Sequence, residues 1–408
     1  MGFRENAATG CPSPSPPTMP STFSFSPLPE IRFGAGRFNE LPHLITGYGR
    51  HPLLVVGGRS FARSGHWREL ADNLLQSGCL LDQVSITGEP SPETIDTIAS
   101  HYETAAVDVV VAIGGGSVLD AGKALAVMLV EGGTVERFLE GVGQETPSGR
   151  RLPCIAVPTT SGTGSETTAN AVLSRIGSGG FKRSLRHPRF IPDIALVDPA
   201  LTLTLPRELT LACGMDAFSQ LVEAYLSTKA SPMSDALAAD GIRAASRSLR
   251  RVCEHGDDLE ARSDMAYAAM LSGIVLTQAG LGVIHGFASA IGGLFAIPHG
   301  TICGTLIAPA NRITLDRLRR TGENSVALAK YARLGRWLGA AENAPPDARQ
   351  DHFIAELERM ADETGIPRLG RFGVEPTDID RILDLSGNKN NPAVLDREEM
   401  HRILASRI

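Results

Sequence analysis

Four short apolar runs, each broken off by a turn rich in glycine, proline or small hydroxyls, limit what this chain can fold into. Residues 52–56 run into Gly57-Gly58-Arg59-Ser60, and residues 107–113 into Gly114-Gly115-Gly116-Ser117. Residues 154–157 end at Pro158-Thr159-Thr160-Ser161-Gly162-Thr163-Gly164, and residues 194–197 at Asp198-Pro199. A strand that is apolar along its whole length, with no polar alternation, has both faces covered. That is the mark of a parallel sheet lying between helices. Ligands in such sheets bind beyond the carboxyl ends of the strands, where these turns fall.

After about Leu205 the texture changes. Residues 232–253, 261–278 and 350–364 carry Ala, Leu, Arg and Glu at helical period, with few β-branched runs. A chain of 408 residues has room for two or three domains. The expected division is an α/β Rossmann-like domain over 23–203 and an all-α domain over 204–408. A disordered tail over 1–22 precedes them; it holds Cys11-Pro-Ser-Pro-Ser-Pro-Pro and lacks the apolar centre of a secretory signal.

Composition narrows the function. A net charge of −6 argues against nucleic acid as a partner, because phosphate backbones call for basic stripes. A short basic cluster such as Arg183, Arg186 and Arg189 reads as a solvated loop. The six cysteines form no CxxC pair and read as reduced thiols of a cytoplasmic protein. No run of 18 apolar residues suggests a membrane span.

Two turns are built for phosphate and ribose. Gly114–Ser117 lies between a strand and a helix start, where free N–H groups and the positive dipole end attract a pyrophosphate. The turn from Thr159 to Ser165 offers hydroxyl donors at little steric cost, and also reads as a helix cap. Further on, Asp216 and Gln220 stand four residues apart, on one face of a helix. His285 and His299 flank the glycine-rich stretch that follows. One carboxylate, one amide and two imidazoles can thus converge on a single ion.

These segments, Gly114-Gly-Gly-Ser-Val-Leu-Asp120, 158–166, 198–202, 214–225 and 285–300, resemble the iron-containing (group III) alcohol dehydrogenases of the dehydroquinate-synthase-like superfamily. The resemblance runs from about Phe25 to the C-terminus. It implies NAD or NADP bound by Gly115, Gly116, Ser117, Asp120, Thr159, Thr160, Thr163 and Ser165. It also places Lys182 near the nicotinamide ribose, and a divalent metal, iron or zinc, on Asp216, Gln220, His285 and His299. Two positions depart from the family's pattern: Gln220 and Ser289 stand where histidines are usual. The resemblance therefore implies a variant site that holds metal less tightly, prefers another ion or holds none. His285, Ser289 and Lys182 are the candidate catalytic side chains.

The turn after the first of the four runs, Gly58-Arg59-Ser60, carries no carboxylate to repel a ribose 2′-phosphate; room at Gly58, the Arg59 guanidinium and the Ser60 hydroxyl favour NADP over NAD. The expected activity is hydride transfer between NAD(P)(H) and a small alcohol, aldehyde or ketone. Two other readings fit the same residues: a metal-independent carbonyl reductase like the maleylacetate reductases, and a nucleotide-binding protein without catalysis. A homodimer is expected from the family, with no nucleic-acid or membrane partner.

Overall fold

The computed structural model of the protein describes residues 22–408 apart from 59, 60, 62, 63 and 178. The expected 1–22 tail, all but its last residue, and the cofactor candidates Arg59 and Ser60 therefore lie outside the described residues.

Among the described residues, eight strands form two sheets: β1 (Glu30–Phe33), β2 (Pro52–Gly57), β3 (Asp82–Ile86), β4 (Val109–Gly114), β5 (Cys154–Pro158), β6 (Asn170–Arg175), β7 (Phe181–Arg186) and β8 (Ile194–Val197). Six of them make one all-parallel sheet in the order β1-β8-β5-β4-β2-β3. The four interior strands are the four apolar runs. Their side chains alternate between two cores: Leu53, Val55, Val110 and Ala112 face one, and Leu54, Val56, Val109 and Val111 the other. Strands β1 and β3 are the edges. They are only partly buried, and their mixed sequences EIRF and DQVSI hide them from a search for apolar runs.

From β2 the chain crosses to β3 on one side and to β4 on the other. The crevice between the ends of β2 and β4 is thus a topological switch point, where doubly wound folds bind their ligands. Gly57, Gly58, Gly114 and Gly115 all line it.

The remaining strands, β6 and β7, form an antiparallel hairpin that packs on the helix Val283–Leu294. Arg183 and Arg186 lie on β7 and Arg189 in the single turn Pro188–Phe190, so the expected loop is corrected, while all three side chains are exposed as expected. Strand alternation in β7 is masked by its cleft-facing polar residues.

After β8 the chain is helical. The helix Arg207–Leu226 runs through the middle of this half and is buried on nearly all sides between Thr210 and Leu226. It packs against the helices Pro232–Glu254, Leu259–Ala279 and His299–Thr321. A helix buried all round is ordinarily apolar. This one carries Asp216, Gln220 and Glu223 inward, and each buried polar group requires a partner. No single helix among the described residues is long and apolar enough to cross a membrane.

Candidate active site

A cleft of about 1230 Å³ runs between the strand ends of the sheet and the helical half. Pockets for one small ligand usually hold ~300–1,000 Å³, so there is room for a dinucleotide and a substrate together.

At the sheet end, Gly115 caps the helix Gly116–Glu131 in an extended conformation, leaving its first N–H groups free toward the cleft. Gly116 is required by a protein neighbour: a Cβ there would stand 2.6 Å from Thr163 Oγ1. The two turns read from the sequence are therefore pressed together. Ser117, Thr159, Thr160, Thr163 and Ser165 all line the same cleft wall. Asp120 lines it too, but its carboxylate is engaged, accepting Ser165 Oγ at 2.5 Å and the Val172 N–H at 3.1 Å. The buried Lys123 braces this wall from behind. Its ammonium lies 3.0 Å from Asp120 Oδ1 and donates to the Ser165 carbonyl at 2.9 Å and to Thr168 Oγ1 at 2.8 Å.

At the helical end four donor side chains converge. Asp216, His285, His299 and Cys303 each offer one ligand atom, and all four atoms lie within 4.8 Å of one another. Asp216 Oδ1 is 3.5 Å from His285 Nε2 and 3.6 Å from His299 Nε2. Cys303 Sγ is 3.5 Å from His285 Nε2 and 3.8 Å from His299 Nε2. A tetrahedral ion with bonds of ~2.0–2.3 Å holds its donors roughly 3.3–3.8 Å apart, so these spacings fit one cation. Asp216 Oδ1 is buried without a hydrogen-bond partner, as expected of an atom reserved for a metal.

This corrects the expectation of a weakened variant site. The donor group contains neither glutamine nor serine. Gln220 does line the cleft, four residues on from Asp216, but its Oε1 accepts the Ser272 hydroxyl at 2.8 Å. Cys303, in the sequence one of several scattered thiols, completes the group. It follows His299 by the same i, i+4 spacing that drew attention to Asp216 and Gln220. Gly300 makes this approach possible: a Cβ there would sit 1.9 Å from the Ala212 carbonyl oxygen, so only glycine lets this helix start close beside the Asp216 helix.

The environment sets the protonation of each donor. Burial alone would raise the Asp216 carboxyl, yet the two imidazoles beside it hold it below its ordinary value. Burial pushes His299 down to about 4, against the pull of Asp216 and with help from Lys182 and His285, so it is a neutral ligand near neutrality. Burial also disfavours the His285 imidazolium, but Cys303, Asp216 and Glu223 outweigh it and raise this imidazole. Burial lifts the Cys303 thiol to about 11, and a bound cation would favour its thiolate.

Glu223, inside a motif noted in the sequence but given no role there, orients His285. Its Oε2 lies 2.6 Å from His285 Nδ1, while Oε1 accepts the Ile284 N–H at 2.7 Å. A carboxylate on the far nitrogen fixes the ring and aims Nε2 at the donor group. Replacing Glu223 with glutamine is expected to weaken metal affinity by roughly 10–100-fold. Titration of the metal-free variant with zinc against a competing chelator measures it; unchanged affinity would remove Glu223 from the site.

The other candidates lie between the two ends. Lys182 lines the cleft with its ammonium ion-paired to Glu89. Ser289 donates to the His285 carbonyl at 2.8 Å and accepts from Lys389 Nζ at 3.3 Å. Partial desolvation at the cleft wall lowers the Lys389 ammonium, with Glu223 opposing and Arg186 and Arg183 reinforcing that shift, while the residue as a whole stays exposed.

A doubly wound sheet facing a four-donor metal group across one cleft defines an enzyme class that joins a nucleotide cofactor to a metal ion. Comparison with known proteins agrees. The chain matches the family model "iron-containing alcohol dehydrogenase" over residues 29–199 and the model of that family's C-terminal part over residues 210–408. It is 33% identical to a long-chain-alcohol dehydrogenase of Geobacillus thermodenitrificans over 368 residues, 88% of each chain. It is 30% identical to an NAD-dependent methanol dehydrogenase of Bacillus methanolicus, over 92% of this chain and 97% of that one. Among solved structures, a 1,3-propanediol oxidoreductase superposes with a TM-score of 0.85 at 28% identity, covering 95% of this chain and all of its own. The chain belongs to the iron-containing alcohol dehydrogenase family.

Proposed function

We propose that this protein interconverts a small alcohol and its aldehyde or ketone, using NADP(H) in preference to NAD(H), with the metal held by Asp216, His285, His299 and Cys303. The convergence of those four donors beside the glycine-rich strand ends carries the reading. A divalent cation bound there supplies Lewis acidity toward the substrate oxygen.

The chain's own residues do the rest. Gly115, Gly116 and Ser117 cradle the pyrophosphate on the helix N-terminus, and Thr159, Thr160, Thr163 and Ser165 orient the cofactor along the cleft wall. Asp120 stiffens that wall through Ser165. Lys182, anchored by Glu89, orients the nicotinamide ribose. Ser289 lies one helical turn from His285 and offers a hydroxyl that takes the alcohol proton and passes its own on to water in the cleft. Preference for NADP rests on Gly58, where a Cβ would meet none of the described residues within 4 Å, and on a turn whose sequence carries no carboxylate toward the ribose. In this reading the chain divides near 203/204 into a cofactor half and a metal half, and works in the cytoplasm as a homodimer.

The test is a coupled one. Purified protein with zinc or ferrous iron should oxidise NADPH with short aldehydes, and oxidise NADH less well at equal concentration. Chelation should abolish both. Turnover that survives complete metal removal would reject the assigned role of the donor group.

A further inference from the structure

Among the described residues, four carboxylates line the cleft: Glu89, Asp120, Glu140 and Asp216. Each is already committed. Glu89 pairs with Lys182, Asp120 with Lys123, and Glu140 with Arg186, while Asp216 belongs to the metal donors. Three lining cations are left with no carboxylate partner among the described residues: Arg183, Lys229 and Lys389. Excess positive charge in a cleft draws in anions.

Lys389 is placed for substrate rather than cofactor. Its Nζ donates to the His285 carbonyl at 2.9 Å and to Ser289 Oγ at 3.3 Å, which puts the ammonium at the metal end, across the cleft from the pyrophosphate turn. Two contacts on a three-donor ammonium leave one N–H unused. The backbone adds an independent observation: Lys389, at φ +48°, is the one non-glycine residue with positive φ among the described residues. That conformation is disfavoured for a side chain of this size. Residues held so cluster at ligand clamps and active sites.

We propose that Lys389, with Arg183 on the facing hairpin, forms an anion subsite beside the metal donors, so that the preferred substrate is a short aldehyde or ketone carrying a carboxylate or another anionic group. This rests on the reductase reading above. The subsite holds the anion while the carbonyl oxygen lies at the donor group, and it discriminates against neutral aldehydes of the same length.

The experiment compares succinic semialdehyde with butanal in the parent, Lys389→Gly and Lys389→Arg. Glycine suits the local backbone, so Lys389→Gly should fold at least as stably as the parent. In the parent, kcat/KM should favour the anionic aldehyde by roughly tenfold or more, the size of one charge-assisted hydrogen bond. In Lys389→Gly that ratio should fall toward one, and Lys389→Arg should restore part of it. Calorimetric binding of 4-hydroxybutyrate to the cofactor-loaded protein should weaken by a similar factor in Lys389→Gly. A parent that prefers butanal, or a ratio unchanged in Lys389→Gly, would overturn the subsite. Turnover of neither aldehyde would reject the reductase reading. The calorimetric comparison would then decide the subsite alone: 4-hydroxybutyrate binding lost with Lys389 supports it, and binding absent or unaffected overturns it.

Discussion

The Asp216→Asn protein is expected to purify without its metal and to lose at least roughly 10³-fold in kcat/KM, since Lewis acidity contributes several kcal/mol to such a reaction. The substitution keeps size and shape, so the buried helix should still pack. What disappears is the charge. In the parent, burial of this carboxyl is outweighed by the two imidazoles beside it, so it stays ionised and ready for a cation. An amide oxygen is a weaker donor for iron or zinc and leaves two imidazoles and a buried thiol without their anion. Elemental analysis and steady-state kinetics on the same preparation check both halves. Full metal content with activity within tenfold of the parent would show that the four donors do not act as one site.

The second large effect concerns stability. Glu166, at the end of the hydroxyl-rich turn, is 3% exposed, and burial lifts its carboxyl from 4.5 to about 7, against the opposing influence of its own backbone and Lys123. Below pH 4.5 this carboxyl is protonated both folded and unfolded, and costs nothing. Between pH 4.5 and about 7 the unfolded chain gives up the proton while the folded protein keeps it, so stability falls as pH rises. Above that range the cost is complete, about 3 kcal/mol for a shift of this size. Glu166→Gln should therefore match the parent in urea unfolding at low pH and exceed it at pH 8. A parent and variant with parallel stability profiles across that range would show that Glu166 is not a buried, charge-penalised group.

The order of the sheet explains how much of the fold could be read beforehand. The four interior strands bury both faces and so write an uninterrupted apolar signal. The edge strands Glu30–Phe33 and Asp82–Ile86 bury less and carry charged or polar residues. The hairpin strand Phe181–Arg186 is hidden for a related reason: Lys182, Ser184 and Arg186 alternate with Phe181, Arg183 and Leu185, and charges on both faces imitate a loop. Long helices in the second half were visible by period.

The site divides along the same physical line. Sequence by itself determined the glycine turns, the hydroxyl-rich segment, Asp216, His285 and His299, because each is written as a local pattern: a strand end, a helix start, a spacing of four. Only the tertiary structure decided that Cys303 joins the donors while Gln220 turns to Ser272. Only it brought Glu223 behind His285 and Lys389 onto Ser289. Those contacts join residues from different helices and a distant C-terminal loop. Which of several buried polar groups meets which is fixed by how helices approach one another, as where Gly300 meets the backbone at Ala212, and no local spacing records that distance.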